Sequence, residues 1–247
     1  VKIHVGSGEQ AMPGFLNVDI RPLPGVDVQG HAGDLRRFAD GSAEVIFGHA
    51  FFEHLFAAHH LAVLREWKRV LAADGVLLVL GVPDFAAIAR LYVSAAPGII
   101  GPRFDLYNVY RYTHGIPEIG AANAWTRWDP GRHPDAAPPG WLPQLHKALF
   151  DAGYLYALAE MARLDAGVFA YAYPGESHVL NLALAAVHAG RPAGTVAHRT
   201  VDGVLGLLRT IPGIERFARL ETLEVRGRPA GEDLMLEFLR RADQAAG

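Results

Sequence analysis

Lys2-Ile3-His4-Val5-Gly6-Ser7-Gly8-Glu9-Gln10-Ala11 runs on into Met12-Pro13-Gly14-Phe15-Leu16-Asn17-Val18-Asp19-Ile20, and the fold turns on how this stretch is read. Lys2–Val5 reads as a strand that enters a glycine turn, and Phe15–Asp19 reads as a second strand. Glycine lets the backbone turn tightly and lets a ligand approach with no Cβ in the way. The turn matches a relaxed dinucleotide fingerprint, G-x-G-x-x-A, and equally a plain strand-to-helix turn. Spacing separates the cofactor readings. A dinucleotide site needs a full helix after the loop to receive the pyrophosphate, and an acid about twenty residues further on. Here Pro13-Gly14 interrupts almost at once, and Asp19 follows Gly8 by only eleven residues. That leaves no room for a helix plus a strand. A cationic ligand without phosphate suits glycines flanked by Glu9 and Asp19 better than a polyanion does.

Outward from this unit, short apolar runs alternate with helical patterns. Val26–Gln29 is a third strand, Glu44–Gly48 a fourth after the turn Asp40-Gly41-Ser42, and Val76–Val82 a fifth. The unbroken Val/Leu content of the fifth predicts burial on both faces. His60–Ala72 places Leu61, Leu64, Trp67, Val70 and Leu71 on one helical face, with Gly75 beyond as a stop. This alternation predicts an α/β fold with a parallel sheet and crossover helices. Residues 86–140 are rich in Pro, Gly and aromatics and read as a lid insertion, with a short helix near Ala86–Ala95. Trp141–Ala152 is expected as a helix ending at Gly153, Tyr154–Ala159 as a strand, and His178–Val187 as a strand. Residues 190–247 read as a helical C-terminal appendage with helices at Val201–Leu208 and Glu232–Asp243, so the domain expectation is 1–189 plus 190–247.

Composition narrows the function classes. The 247 residues carry a net charge of −3, which gives no basic field for nucleic acid or membrane. There are no cysteines, so disulfides, thiolate nucleophiles and zinc–thiolate sites are excluded. No apolar run reaches membrane-spanning length, and the chain opens directly on a strand-like segment rather than a signal peptide. A cytoplasmic location is expected, a short leader before Val1 is conceivable, and the abundance of Ala, Gly and Arg suggests a bacterial source.

Taken jointly and in order, these motifs resemble a known family. Val5-Gly6-Ser7-Gly8, Pro13–Ile20, Gly33-Asp34-Leu35, Asp40-Gly41-Ser42, Phe52-Glu53-His54-Leu55, Leu64–Leu71, Gly75 and Val76–Asp84 are similar to the bacterial class I methyltransferases of the methyltransferase-11 type, and within them to a short-loop subgroup. The likeness covers roughly the first 85 residues, with looser matches at Leu142–Gly153 and His178–Val187. It implies a Rossmann-like, mostly parallel seven-stranded sheet with helices on both faces, and S-adenosyl-L-methionine as cofactor. It further implies that Gly6, Ser7 and Gly8 line the methionine part, that Asp19 and Ile20 meet the ribose, that Asp34 and Leu35 read the adenine, and that His49 sits beside the methionine end. Each residue has a plainer reading as well. Asp19 would serve as a strand-end cap, Asp34 as an N-cap for Leu35–Phe38, and Glu53 as a first-turn acid.

Methyl transfer from a sulfonium is an in-line displacement, so the protein must align the acceptor, exclude water and, for a hydroxyl, remove a proton. Histidine is the usual base near neutral pH. His49, His54, His114 and His133 fall in loops near the expected site, and His54 is the favoured base, with Glu53 orienting it and His49 second. His49, Glu53 and His54 also form a candidate divalent-metal set, since i and i+4 share a helix face. Metal-using relatives carry a further Glu three residues before the Glu-His pair, where this chain has Ala50, so no metal is expected. His114, Tyr110, Arg111 and His133 are the candidate acceptor contacts, and the other lid aromatics and arginines serve either that purpose or a small core of their own. The expected activity is transfer of a methyl group to a hydroxyl or amine of a small molecule, such as a sugar, nucleotide-sugar or natural product, in a chain that acts alone or as a homodimer. An NAD(P)-dependent oxidoreductase and a non-catalytic S-adenosylmethionine-binding module that docks a partner are the alternatives.

Overall fold

The computed structural model describes residues 1–115, 145–190, 197–228 and 234–246. In chain order the elements are β1 (Lys2–Val5), β2 (Leu16–Asp19), β3 (Val28–Gln29), β4 (Ala43–His49), α1 (Ala57–Val70), β5 (Leu71–Pro83), α2 (Phe85–Val93), α3 (Leu106–His114), α4 (Ala152–Met161), β6 (Leu164–Ala172), β7 (Asn181–His188), α5 (Val201–Leu208), β8 (Arg219–Arg226) and α6 (Leu234–Ala246). The strands form a single sheet of order β3-β2-β1-β4-β5-β7-β6-β8. The first five pair in parallel, and β7, β6 and β8 add antiparallel.

Among the described residues the sheet has eight strands where seven were expected. Tyr154–Ala159 is not a strand but the body of α4, which Asp151 starts by accepting the Tyr154 N–H at 2.8 Å. Gly153 lies in the first turn of that helix rather than at the end of a preceding one, and Leu145–Leu149 has no regular structure. The segment read as a helical appendage supplies α5 and α6 and also β8, which pairs with β6 at the sheet edge. Gly75 does not stop α1, because the chain turns at Leu71 straight into β5. Its glycine is needed for another reason: a Cβ there would lie 2.6 Å from the Ala43 carbonyl oxygen.

Alternation along β1 and β4 sorts the core into two layers. Ile3, Val5 and Ile46 face α1 and α4, where Trp67 is buried and donates its indole N–H to the Ala32 carbonyl at 2.7 Å. Phe47 and Val45 face the opposite way, onto Val204 and Leu208 of α5 and the turn through Phe217. Burying each such side chain stabilises the fold by about 1.5–3 kcal/mol. A third, smaller cluster joins α2 and α3 through Ile88, Phe104 and Tyr112. The parallel order places the carboxyl ends of β1, β2 and β4 side by side, where open α/β sheets take ligands.

Two buried rings tie this fold to pH. His4 contacts Asn17 Oδ1 at 3.3 Å, and His60 lies 2.9 Å from the Tyr154 hydroxyl. Burial pushes both imidazoles down to about 4. The unfolded chain, with an ordinary histidine pKa of 6.5, therefore binds more protons than the native one between those values. The stability these rings contribute is complete above pH 6.5 and is lost as pH falls towards 4. Each adds a slope of up to ~1.4 kcal/mol per pH unit. Urea unfolding at pH 7.5 and 5.0 should show a loss of at least ~2 kcal/mol, and His4→Gln should flatten that slope.

Candidate functional site

The glycine turn is built without a helix. Ser7 N–H donates to the Val18 carbonyl at 3.1 Å, and Gln10 N–H folds back onto the Ser7 carbonyl at 2.9 Å. Asn17 on β2 holds the rest: its Oδ1 accepts the Met12 N–H at 2.8 Å, and its Nδ2 donates to the Phe15 carbonyl at 3.2 Å and to Asp27 at 3.0 Å. Residues 7–15 thus close as a chain of turns, and no helix starts at Glu9. Gly6 and Gly8 both take left-handed backbone angles, φ 63° and 54°. A Cβ on Gly6 would fall 2.4 Å from the Phe51 ring.

Asp19 ends β2 and is buried. Its Oδ2 accepts the Gly8 N–H at 2.8 Å, and its Oδ1 accepts the Arg21 backbone N–H at 2.9 Å and Nε at 3.1 Å. Burial works to raise its pKa, but these bonds outweigh it and hold the carboxyl below the usual range. A carboxylate offers about four lone-pair positions, so a ribose diol can still be accepted, most readily once the part-exposed Arg21 side chain swings off Oδ1. Beside it opens a pocket of about 440 Å³. Gly6, Asp19, Ile20 and Arg21 form one wall, His31 and Ala32 another, and Ala50, Phe51, His54, Leu55, Phe56, His59 and Lys147 the third. Ala50, where β4 gives way to the pocket, is held at φ 46°, a strained value for a residue with a Cβ.

Behind His54 lies a buried polar cluster. Glu53 sits in the short 3-10 turn Phe52–His54 and is 2% exposed. Burial pushes its carboxyl up to about 8. Its Oε1 lies 3.7 Å from His54 Nε2 and 3.9 Å from His146 Nε2, while its Oε2 has no hydrogen-bond partner among the described residues. His54 is pushed down to about 4 by burial, with the neighbouring His146 adding to the shift and the Leu145 and Ala50 carbonyls opposing it. Burial also lowers His146, and it lowers Lys147, whose Nζ donates to the His54 carbonyl at 2.8 Å and lies 5.6 Å from the Phe56 ring centroid.

The structure brings Gly6, Asp19, Ile20 and His54 to one pocket and Glu53 directly behind it. Gly8 supports Asp19 from below. Ser7 is buried, its hydroxyl lacks a hydrogen-bond partner among the described residues, and it does not line the pocket. Asp34 is instead exposed and pairs with Arg36 at 2.6 Å, and Leu35 is packed in the core, so His31 and Ala32 stand on the wall expected for them. His49 ends β4 pointing to the opposite face, against Phe217 at 4.5 Å and Tyr173 at 5.7 Å, and burial pushes it down to about 3. Since β4 and a 3-10 turn replace the helix imagined there, His49 and Glu53 do not share a face. On α3, the Tyr110 and His114 rings lie 4.7 Å apart, tilted to one another, and are exposed, and Arg111 is half-buried. The buried residues of that helix are Asn108, Tyr112 and Thr113, and Tyr112 makes a short hydrogen bond to Glu176. His133 lies outside the described residues.

Residues 13–79 match a family described as a methyltransferase domain. The match begins inside the glycine connection and runs through β2, β3, β4 and α1 into β5. No curated protein matches the chain. Among solved structures, the fold is similar to an S-adenosylmethionine-dependent methyltransferase of Thermotoga maritima described as a possible histamine N-methyltransferase, at 15% identity, 75% coverage of this chain and 80% of that one, with a TM-score of 0.45. It is similar also to such a methyltransferase of Archaeoglobus fulgidus, at 14% identity, 74% and 84% coverage and a TM-score of 0.46. A third, from Methanosarcina mazei, gives 15% identity, 76% and 91% coverage and a TM-score of 0.44.

The two glycines of the turn should respond differently to a methyl group. Gly6→Ala meets the Phe51 ring, whereas a Cβ on Gly8 meets only the flexible end of Arg21 at 3.3 Å. Gly6→Ala should therefore lose about 2–3 kcal/mol of stability in urea unfolding and Gly8→Ala about 1 kcal/mol, the share due to the left-handed backbone alone. Phe51→Ala combined with Gly6→Ala should recover part of the larger loss. Equal losses at the two positions would contradict the packing described.

Proposed function

We propose that this chain, which carries a methyltransferase domain and uses S-adenosylmethionine as its cofactor, transfers the methyl group to a hydroxyl or amine of a small-molecule acceptor presented at Glu53, His54 and His146. The observation that carries the reading is the shared wall: the glycine turn and Asp19 face the same pocket as His54, the outermost member of the buried Glu/His cluster. When bound, the cofactor supplies a methyl group already activated on a sulfonium. Asp19 would accept the ribose hydroxyls, and His31 and Ala32 would flank the base. Gly6 leaves room for the amino-acid end, with Phe51 and Ala50 opposite.

The remaining task is to align the acceptor and take its proton. His54, kept neutral by burial and lining the pocket, is the base in this reading. Glu53 lies behind it as the orienting group. His49, on the far face of the sheet, has no part in it. A dinucleotide would require a helix from Glu9 onward, and residues 9–15 are turns, so an oxidoreductase reading has no anchor for the pyrophosphate. A hydroxylated acceptor, such as a sugar, fits the polar character of the cluster.

A thermal-shift experiment with S-adenosylhomocysteine, S-adenosylmethionine and NAD tests the cofactor site. Ligand at a hundred times its Kd stabilises by about 2.7 kcal/mol, which for a chain of this length raises Tm by roughly 5–10 °C. Adenosylhomocysteine should give that rise, and Asp19→Ala should abolish it at the same concentration. A rise with NAD alone would overturn the reading.

A further inference from the structure

Three atoms of ligand type, one carboxylate oxygen and two imidazole nitrogens, converge at the Glu53 cluster. His54 Nδ1 faces the Leu145 carbonyl at 3.2 Å, and His146 Nδ1 faces the Tyr112 carbonyl at 2.6 Å. A carbonyl only accepts, so each Nδ1 carries the proton and donates it. In the neutral ring that leaves each Nε2 as a bare lone pair. Both Nε2 atoms face Glu53 Oε1, at 3.7 and 3.9 Å, too far for a hydrogen bond. Glu53 Oε2 is buried and has no hydrogen-bond partner among the described residues.

An imidazole whose Nδ1–H is fixed on a backbone carbonyl while Nε2 points at a carboxylate is the outer-shell arrangement of a metal-bound histidine. The three ligand atoms lie within 4.8 Å of one another. Ligands around a tetrahedral ion at about 2.0–2.2 Å stand about 3.4 Å apart, so small side-chain rotations close the site. From this geometry we infer that Glu53, His54 and His146 form a binding site for a divalent transition-metal ion, most suitably Zn²⁺, at the inner end of the cofactor pocket. Two imidazoles and one carboxylate suit Zn²⁺ and its neighbours, not Mg²⁺ or Ca²⁺, which prefer oxygen ligands. Lys147, the neighbouring cation, is held by the carbonyls of His54 and Leu145 at 2.8 and 3.3 Å.

The consequence, though not the site, rests on the methyl-transfer reading. A cation here would serve a hydroxylated acceptor, whose O–H it makes easier to ionise. With the ion seated, the His54 lone pair is committed to it, and the ion in place of the imidazole lowers the pKa of the hydroxyl.

The test is titration calorimetry on the full chain after chelator treatment, with ZnCl₂, with MgCl₂, and separately with S-adenosylhomocysteine. The expected result is one Zn²⁺ per chain with micromolar or tighter affinity, no comparable Mg²⁺ binding, and a loss of Zn²⁺ affinity of at least tenfold in both His146→Gln and Glu53→Gln. Adenosylhomocysteine binding in the two variants should stay within threefold of the parent, which shows that they fold. Absent Zn²⁺ binding in the parent, or equal binding in both folded variants, overturns the site. Zn²⁺ binding at the site in a chain that takes no adenosylhomocysteine would uphold the site and overturn the methyl-transfer reading. The converse, adenosylhomocysteine binding without Zn²⁺, would uphold that reading and overturn the site.

Discussion

The Gly8 N–H donates to Asp19 Oδ2 at 2.8 Å, and this charge-assisted bond joins the tip of the glycine turn to the end of the neighbouring strand. The connection from β1 to β2 has to return the chain to a parallel strand without the crossover helix that usually does so. Asn17 makes this feasible, since one side chain satisfies backbone groups of Met12 and Phe15 that a helix would otherwise have paired. The same compression sets the chemistry of the pocket. There is no helix N-terminus to attract a phosphate, and the charge facing the ligand is a carboxylate whose negative form is already favoured by three donors.

Around that anchor, the molecule accepts unfavourable burial on the acceptor side. Glu53, His54 and His146 come from two segments about ninety residues apart, and Lys147 N–H to the Glu53 carbonyl at 2.8 Å stitches those segments together. Buried polar groups without full pairing destabilise a fold, so their gathering at strand ends beside a pocket points to use rather than packing. The left-handed Ala50 is part of the same pattern: its N–H is held by the Leu80 carbonyl at 2.9 Å while its backbone bends away from β4 into the pocket wall. Strain and unpaired atoms thus coincide where open α/β sheets bind their ligands.

How much of this the sequence discloses depends on whether a residue's neighbours are near in the chain. The first four strands, the Val76–Val82 run and the Leu61-Leu64-Trp67 face were legible because their patterns are local and clean. The segment Tyr154–Ala159 misled because α4 is buried on nearly every side, so its apolar run carries no helical period. Conversely, β8 is an edge strand with charges on both faces, and its Arg-Leu-Glu-Thr-Leu-Glu-Val-Arg reads as surface. That Gly6, Asp19 and His54 fall near one another, at one pocket with Glu53 behind it, was legible because turns and strand ends mark them. His146 was missed because only the tertiary fold sets it beside Glu53. Asp34 was placed at the adenine by resemblance alone, and in the fold it is exposed and paired with an arginine two residues on.

The order of strands across the sheet has a bearing on how the protein is made. β6 lies between β7 and β8, and both follow it in the chain. During synthesis β6 therefore emerges with neither neighbour available, and β7 must slot between β5 and β6 afterwards. The layer under Phe47 and Leu78 stays open to water until α5 arrives. A ribosome halted anywhere before residue 226 would release a chain with bare sheet edges and an uncovered face, the kind of species on which chaperones act.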